Sequence, residues 1–476
     1  MQIISLFSGQ SSYNSRLMKY IDEKLIWDIL AAAEKSADIE KILQKSRNLQ
    51  RLTLSETAAL LTVQDPEILQ KIFSAAAEVK NNIYGKRVVL FAPLYISNVC
   101  QNICSYCAFK ADNKLLKRKA LTTAEIKAQT EFLLERGHKR ILLVAGEAKP
   151  DFTDSLIDYY TEAIEAIYSA QIGSHKIKRV NINCAPLNVE DLRKLKKAGI
   201  GTFQIFQETY HTETYKQVHL SGPKADPDQR ISAIDNAFTA GLDDVGMGVL
   251  YGLFDYRFDT LALLMHIEQL EKTFQIGPHT ISVPRVEPAL GSEYSQNVPH
   301  QVSDIDFKKI VAVLRLAVPY TGLILSTRET AAFRNELLDL GVSQISAQSN
   351  VTPGGYQAKA DDHGQFTVAD QRSLDEIVFT LIDKGYIPSF CAACYRMERT
   401  GEKFMCLAKP GTIKGKCSIN ALITLREYLD DFAPAATKKA GEQLIEKLKN
   451  NLSAADKQIY EKFCLQIADG ARDKYI

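Results

Sequence analysis

The chain has no long apolar run, no excess of charge of either sign and no dinucleotide-type glycine loop, and each absence removes a class of function. No apolar stretch reaches the ~18 residues that a membrane-crossing helix needs. The 58 Lys and Arg are balanced by 57 Asp and Glu, a net charge of +1. That balance leaves no concentrated basic face for nucleic acid or for a membrane surface. The first ten residues, MQIISLFSGQ, lack the charged-then-apolar run of a secretory leader, which points to the cytoplasm. Repeats, low-complexity tracts and flexible linkers are missing as well, so the ends of the chain are expected to dock on its middle. What remains is 476 residues, 46% hydrophobic and 24% charged, enough for one large domain with extensions. There are also nine cysteines, six of them in two clusters. Clustered cysteines outside a secretory context indicate metal or redox chemistry rather than a disulfide framework.

Residues 1–84 read as a helical extension. The segments 20–45, 54–62 and 66–83 carry apolar positions at three-to-four spacing, with Ser55 and Asp65 as N-caps. From residue 85 to 385 short β-branched runs alternate with amphipathic helical stretches. The strand candidates are 88–97, 140–147, 179–185, 202–208, 244–252, 279–286, 322–328 and 343–349. The helix candidates are 122–136, 153–169, 189–198, 230–240, 258–274, 306–318, 331–340 and 373–384. Eight βα units in succession predict an α/β fold, a (β/α)8 TIM barrel. A doubly wound open sheet is the other arrangement, and it lacks its glycine loop here. Residues 386–476 form a C-terminal extension, irregular to about residue 420, then helical over 424–431, 438–450 and 454–469.

Cys100, Cys104 and Cys107 stand in CQNICSYC, directly after the first strand candidate. Loops after the strands of a parallel barrel open onto its C-terminal face, where barrel enzymes place their chemistry. Three thiolates fit three corners of a cubane iron–sulfur cluster and leave one iron open. A Cys3His zinc site is the rival, and its nearest histidine in sequence, His138, lies well downstream. Three unrelated buried cysteines are the bland alternative. The second set, Cys391, Cys394 and Cys417, has the pattern CX2CX22C and is again one ligand short of a closed site. A structural zinc knot would account for it equally by spacing. Cys406 lies between them; Cys184 and Cys464 are isolated and read as core residues.

The CX3CX2C motif after strand one, with an aromatic before its last cysteine, resembles the radical S-adenosylmethionine (SAM) superfamily. That resemblance implies a 4Fe-4S cluster whose open iron binds SAM and whose electron splits it to a 5′-deoxyadenosyl radical. Ala145, Gly146 and Glu147, at the end of strand two, resemble the superfamily's Gly-Gly-Glu element that contacts the SAM methionine amino group; alanine replaces the first glycine. Together the two cysteine sets are far more specific than either alone. With stretches such as GIGTFQIFQETYH, GLDDVGMGVLYGL and GYIPSFCAACYR, they resemble the HydG family of FeFe-hydrogenase maturases over most of the chain. The related 2-iminoacetate synthase of thiamine biosynthesis, ThiH, also cleaves tyrosine but lacks the C-terminal trio.

The resemblance implies a lyase that breaks the Cα–Cβ bond of L-tyrosine to p-cresol and dehydroglycine. The dehydroglycine becomes carbon monoxide and cyanide at a second, auxiliary 4Fe-4S cluster that can carry an extra iron and L-cysteine. It further implies an iron–cysteine synthon for the H-cluster, the companion maturases HydE and HydF, an electron donor and an anaerobic bacterium. Tyrosine's carboxylate calls for an arginine at a strand end, and Arg328 in LSTRE has that position; a salt bridge to a neighbouring helix is its alternative role. Arg179, Gln207 and Glu208 are candidate SAM contacts. The family's labile fifth iron has a histidine ligand, which the resemblance puts at His266, with His279 as the fallback and Gln269 where relatives often carry a second histidine. Gln348 and Asn350 stand where relatives commonly have glycine and arginine. Against all this stand a superfamily enzyme acting on another amino acid, and a zinc-stabilised scaffold or metal carrier without turnover.

Overall fold

A computed structural model describes residues 18–33, 38–357, 363–450 and 452–476. The stretch 1–10 and residues 34–37 of the expected helix 20–45 lie outside the described residues.

All eight strand candidates form, and they close into the expected parallel barrel. The strands are Arg87–Ser97, Arg140–Ala145, Arg179–Asn183, Phe203–Gln204, Val245–Gly248, Thr280–Ser282, Gly322–Leu325 and Gln344–Ser346. Each hydrogen-bonds in parallel to the next in sequence. The eighth returns to the first through Val89↔Gln344, Leu90↔Ile345 and Phe91↔Ser346. The strands are apolar where they pack under the helices, as at Val180, Ile182 and Phe203, whereas their lumen face carries polar residues such as Asn183, Gln204, Ser282 and Ser346.

The first strand is the longest, and it has three partners. Its later residues, from Ala92, pair with the second strand. On its first residues a ninth strand, Ile387–Ser389, adds in parallel, with Arg87↔Ile387 and Val89↔Ser389. The sequence pattern did not announce this strand. It delivers Cys391 to the mouth opposite the catalytic face of a barrel.

The helices depart from expectation in four places. Thr53, not Ser55, caps Leu54–Thr62 by a capping box with Glu56, whereas Asp65 caps Pro66–Tyr84 as expected. The segment 230–240 is two short helices, Pro227–Ile231 and Ala233–Thr239. The segment 20–45 holds Glu23–Ala33 and Ile39–Arg47, the latter capped by Asp38. The stretch read as irregular before residue 420 is largely helical, with Ala393–Arg396, Gly401–Ala408 and Ile413–Asp431. Lysines and glycines mask its period, yet Ile413, Cys417, Asn420, Ala421, Thr424 and Tyr428 fall on one buried face. Both extensions dock: Leu43, Ile72, Ile419 and Leu422 belong to the same core as the barrel helices. Among the described residues no helix is long and apolar enough to cross a membrane.

Candidate active site and metal centres

At the C-terminal mouth the loop after strand one holds Cys100, Cys104 and Cys107 on the wall of a cavity of about 190 Å³. The loop has little regular structure, so side chains hold its shape. The Arg118 guanidinium donates to the carbonyls of Asn98 and Phe109, both at 2.8 Å, and of Lys110 at 2.5 Å. Asn98 answers with a bond from its side chain to the Lys117 carbonyl. From across the mouth, His219–Ser221 pairs antiparallel with Ile103–Cys104.

All nine cysteines are free thiols. Burial pushes Cys104 up to about 12 and Cys107 up to about 11. Thiols that line one cavity suit a soft metal, which ionises them by coordination. The donor set fits an iron–sulfur cluster with one open position.

Gly146 is required here: a Cβ on it would stand 2.2 Å from the Val99 carbonyl oxygen, so only glycine lets the end of strand two pass against the cluster loop. Glu147 accepts from Asn102 Nδ2 at 2.8 Å and pairs with Arg230 at 2.9 Å. Burial alone would raise its carboxyl, but Arg230 and Lys224 hold it below the usual range. Glu208 pairs with Lys224 at 2.7 Å and adopts φ 72. Lys224 and Arg230, which complete this network, come from the segment between strands four and five and carry no motif.

Gln207 is not part of this cavity. Inward positions on the fourth strand and its extension are Gln204, Phe206 and Glu208, all lining residues. The two-residue period turns Gln207 outward, where it donates to Met18 Sδ and the Pro227 carbonyl. Arg179 does not line this cavity either. It opens its strand and so lies at the opposite mouth, with its guanidinium 3.2 Å over the Tyr395 ring. Arg328 does line the cavity. It lies 3.5 Å over the Phe366 ring and donates weakly to the Arg285 carbonyl, with no carboxylate in ion-pair range among the described residues. Gln348 and Asn350 flank the lining residues Ser349 and Val351 without lining the cavity themselves.

At the N-terminal mouth, Cys391, Cys394 and Cys417 line a second cavity, of about 40 Å³. Ser389 ends the ninth strand, and the chain turns so that the Ala393 amide donates to Cys391 Sγ at 3.3 Å. Arg140 donates to the Cys391 carbonyl at 2.8 Å. Arg87 and Arg140 both line the cavity, and each has an Nε without a partner. Burial raises Cys391, and pushes Cys394 up to about 12. Three thiols ringed by arginines suit an anionic cluster.

His279 lines this cavity, at 4.2 Å from the Phe404 ring and 3.8 Å from Asp244, and burial holds its imidazole below the usual range. His266 does not reach it. That side chain sits on the outer helix Tyr256–Phe274, its Nδ1 3.0 Å from the Tyr210 hydroxyl, under the N-terminal extension. The expectation therefore moves from His266 to His279, because the start of a barrel strand opens on this mouth and a barrel helix does not. Gln269 binds Thr273. Cys406 is exposed on its helix, Cys184 is buried, and neither lines either of these two cavities.

The two cavities are separated by a single step along the strands. Val89, Arg140 and Gln344 line the lower one, and Phe91, Leu142 and Ser346 the upper one. Two residues of strand rise about 7 Å.

Residues 94–265 match the Radical SAM superfamily, and residues 282–387 match the Biotin and Thiamin Synthesis associated domain. The crystal structure of HydG, a maturase of the [FeFe]-hydrogenase, is similar at 46% identity and a TM-score of 0.92, covering 96% of this chain and 100% of that one. The FeFe-hydrogenase maturase HydG from Carboxydothermus hydrogenoformans is similar at 42% identity and a TM-score of 0.80, covering 93% and 98%. The 2-iminoacetate synthase of Salmonella typhimurium is 30% identical over 77% of this chain and 93% of its own.

Proposed function

The chain belongs to the HydG family of [FeFe]-hydrogenase maturases, within the radical SAM superfamily, and from that premise we propose that it cleaves L-tyrosine and converts the fragment at a second metal centre. It is a radical SAM enzyme with a 4Fe-4S cluster and SAM, and it acts in hydrogenase maturation. The reaction is a carbon–carbon lyase step at Cα–Cβ that yields p-cresol and dehydroglycine, followed by carbon monoxide and cyanide for an iron–cysteine synthon.

The observation that carries the reading is the two three-thiol sets at opposite mouths of one barrel, lining cavities one layer of side chains apart. The second set favours this activity over 2-iminoacetate synthesis, for which one cluster suffices. Cys100, Cys104 and Cys107 would hold the SAM cluster, with Gly146, Glu147 and Glu208 around SAM. Cys391, Cys394 and Cys417 would hold the auxiliary cluster, and His279 the extra iron. Bound there, cluster and SAM would supply the radical chemistry that the chain's own side chains lack. The chain's part is to bind and exclude. Arg328, unpaired and flattened on Phe366, offers a fork to the tyrosine carboxylate. The wired loop 98–119 and the apolar wall of Tyr95, Phe109 and Val351 keep water from the reacting atoms. L-cysteine, HydE, HydF and an electron donor are the proposed partners.

The test is anaerobic reconstitution with iron and sulfide, then tyrosine, SAM and a reductant. The expected protein is brown, carries about eight iron per chain, and releases p-cresol. A fully loaded sample that makes none overturns the tyrosine reading. A colourless zinc protein instead supports a scaffold. Electron paramagnetic resonance should give two cubane signals, only one of them shifted by SAM.

A further inference from the structure

Six charged side chains line the upper cavity: Glu147, Glu208, Glu287, Lys224, Arg230 and Arg328. Four of them satisfy one another, Arg230 with Glu147 at 2.9 Å and Lys224 with Glu208 at 2.7 Å. The neighbouring Glu329 is likewise used up, held by both Arg285 Nε at 2.9 Å and the second guanidinium nitrogen. That leaves one cation and one anion. Arg328 has only a long bond to a carbonyl, and Glu287 has no hydrogen bond or ion pair among the described residues. They are close enough to feel each other's charge, yet they do not form a salt bridge with one another.

A carboxylate and a guanidinium, both partly buried, that share a cavity without partners are costly unless a ligand supplies the missing charges. The ligand must then carry an anion and a cation close together. We infer that Glu287 is the acceptor for the substrate's α-ammonium group and that, with Arg328 on the carboxylate, it forms a clamp for a zwitterionic amino acid. Burial and the Glu329 charge raise the Glu287 carboxyl, a state that an arriving ammonium relieves. The clamp fixes the backbone end of the amino acid and leaves the choice of side chain to the rest of the cavity. This rests on the reading that tyrosine is the substrate.

The experiment measures binding by calorimetry to the reconstituted protein with SAM present. The probes are L-tyrosine, 3-(4-hydroxyphenyl)propanoate, which lacks the amino group, and tyramine, which lacks the carboxylate. Glu287→Gln should weaken tyrosine and tyramine about tenfold or more and leave the propanoate unchanged, as expected for one lost charge-assisted hydrogen bond. Arg328→Gln should weaken tyrosine and the propanoate and spare tyramine. Glu287→Asp should recover part of the loss, and SAM affinity should hold in every variant. Equal weakening of all three probes by Glu287→Gln, unchanged tyrosine binding, or a loss of SAM binding instead overturns the assignment. Wild-type protein that binds tyrosine but makes no p-cresol defeats the lyase reading and leaves the clamp standing.

Discussion

Both mouths of the barrel present three thiols, and the surroundings separate their tasks. Above, Cys100, Cys104 and Cys107 open on about 190 Å³ lined by two ion pairs and by Glu287 and Arg328, which no described residue pairs. Below, Cys391, Cys394 and Cys417 open on about 40 Å³ walled by Arg87, Arg140, Tyr84 and His279. The upper loop is irregular and tied by Arg118, whereas the lower ligands ride on a strand end and on the long helix Ile413–Asp431. The same donors therefore stand in two different surroundings, which is what the proposed division of labour between them rests on.

The comparison can be broken most forcefully at the cysteines. Replacing Cys100, Cys104 and Cys107 by serine should abolish p-cresol while about four iron per chain remain in the lower site. The Cys391→Ser/Cys394→Ser variant should do the reverse, keeping p-cresol within about twofold and losing carbon monoxide. Full carbon monoxide output from that variant would end the division of labour. Gly146→Ala probes the upper mouth through sterics alone. Its Cβ meets the Val99 carbonyl, so p-cresol should fall about a hundredfold with the lower cluster's spectrum intact.

A finer distinction lies between the two histidines. His279→Ala should lower the labile iron content of fully reconstituted protein without reducing p-cresol. His266→Ala should leave iron unchanged and cost about 1–3 kcal/mol of stability, since it loses the Tyr210 bond and some packing. The opposite pattern would restore His266 as the iron ligand.

The smallest effect is expected away from both mouths, at Asp259. Burial raises its carboxyl to about 7, although Tyr210 and Thr209 donate to it. The folded chain thus keeps a proton that the unfolded chain releases near the ordinary value of 3.8. Its contribution is intact below that value and is lost as the pH rises toward 7. Asp259→Asn should therefore gain in stability relative to the wild type across that window, measured by denaturant unfolding at several pH values. A flat difference between the two would refute the shifted carboxyl.

Much of this was legible along the chain. The eight βα units follow from alternating periods, and the Cys spacings fix which residues act together. Asp65 as a cap and the leucine-rich helix 54–62 needed only local pattern. Other features were not local. Gln207 and Glu208 are neighbours in sequence, but strand parity sends one outward and the other into the cavity. Arg179 and Arg328 look alike as strand-end arginines, and strand direction puts them at opposite mouths. Lys224, Arg230 and Glu287 carry no spacing signal, because their partners lie far away in sequence.

The sequence by itself determined the barrel and the two incomplete thiol sets, since period and spacing are properties of short segments. Tertiary structure decided which histidine lines the lower cavity, which arginine lines the upper one and which acid there is left without a base among the described residues. Those outcomes depend on closure of the first strand on the eighth and on the ninth strand's addition to the first, which bring together side chains that no local pattern relates. The nine cysteines announced the chemistry, and the register of the closed sheet assigned its neighbours.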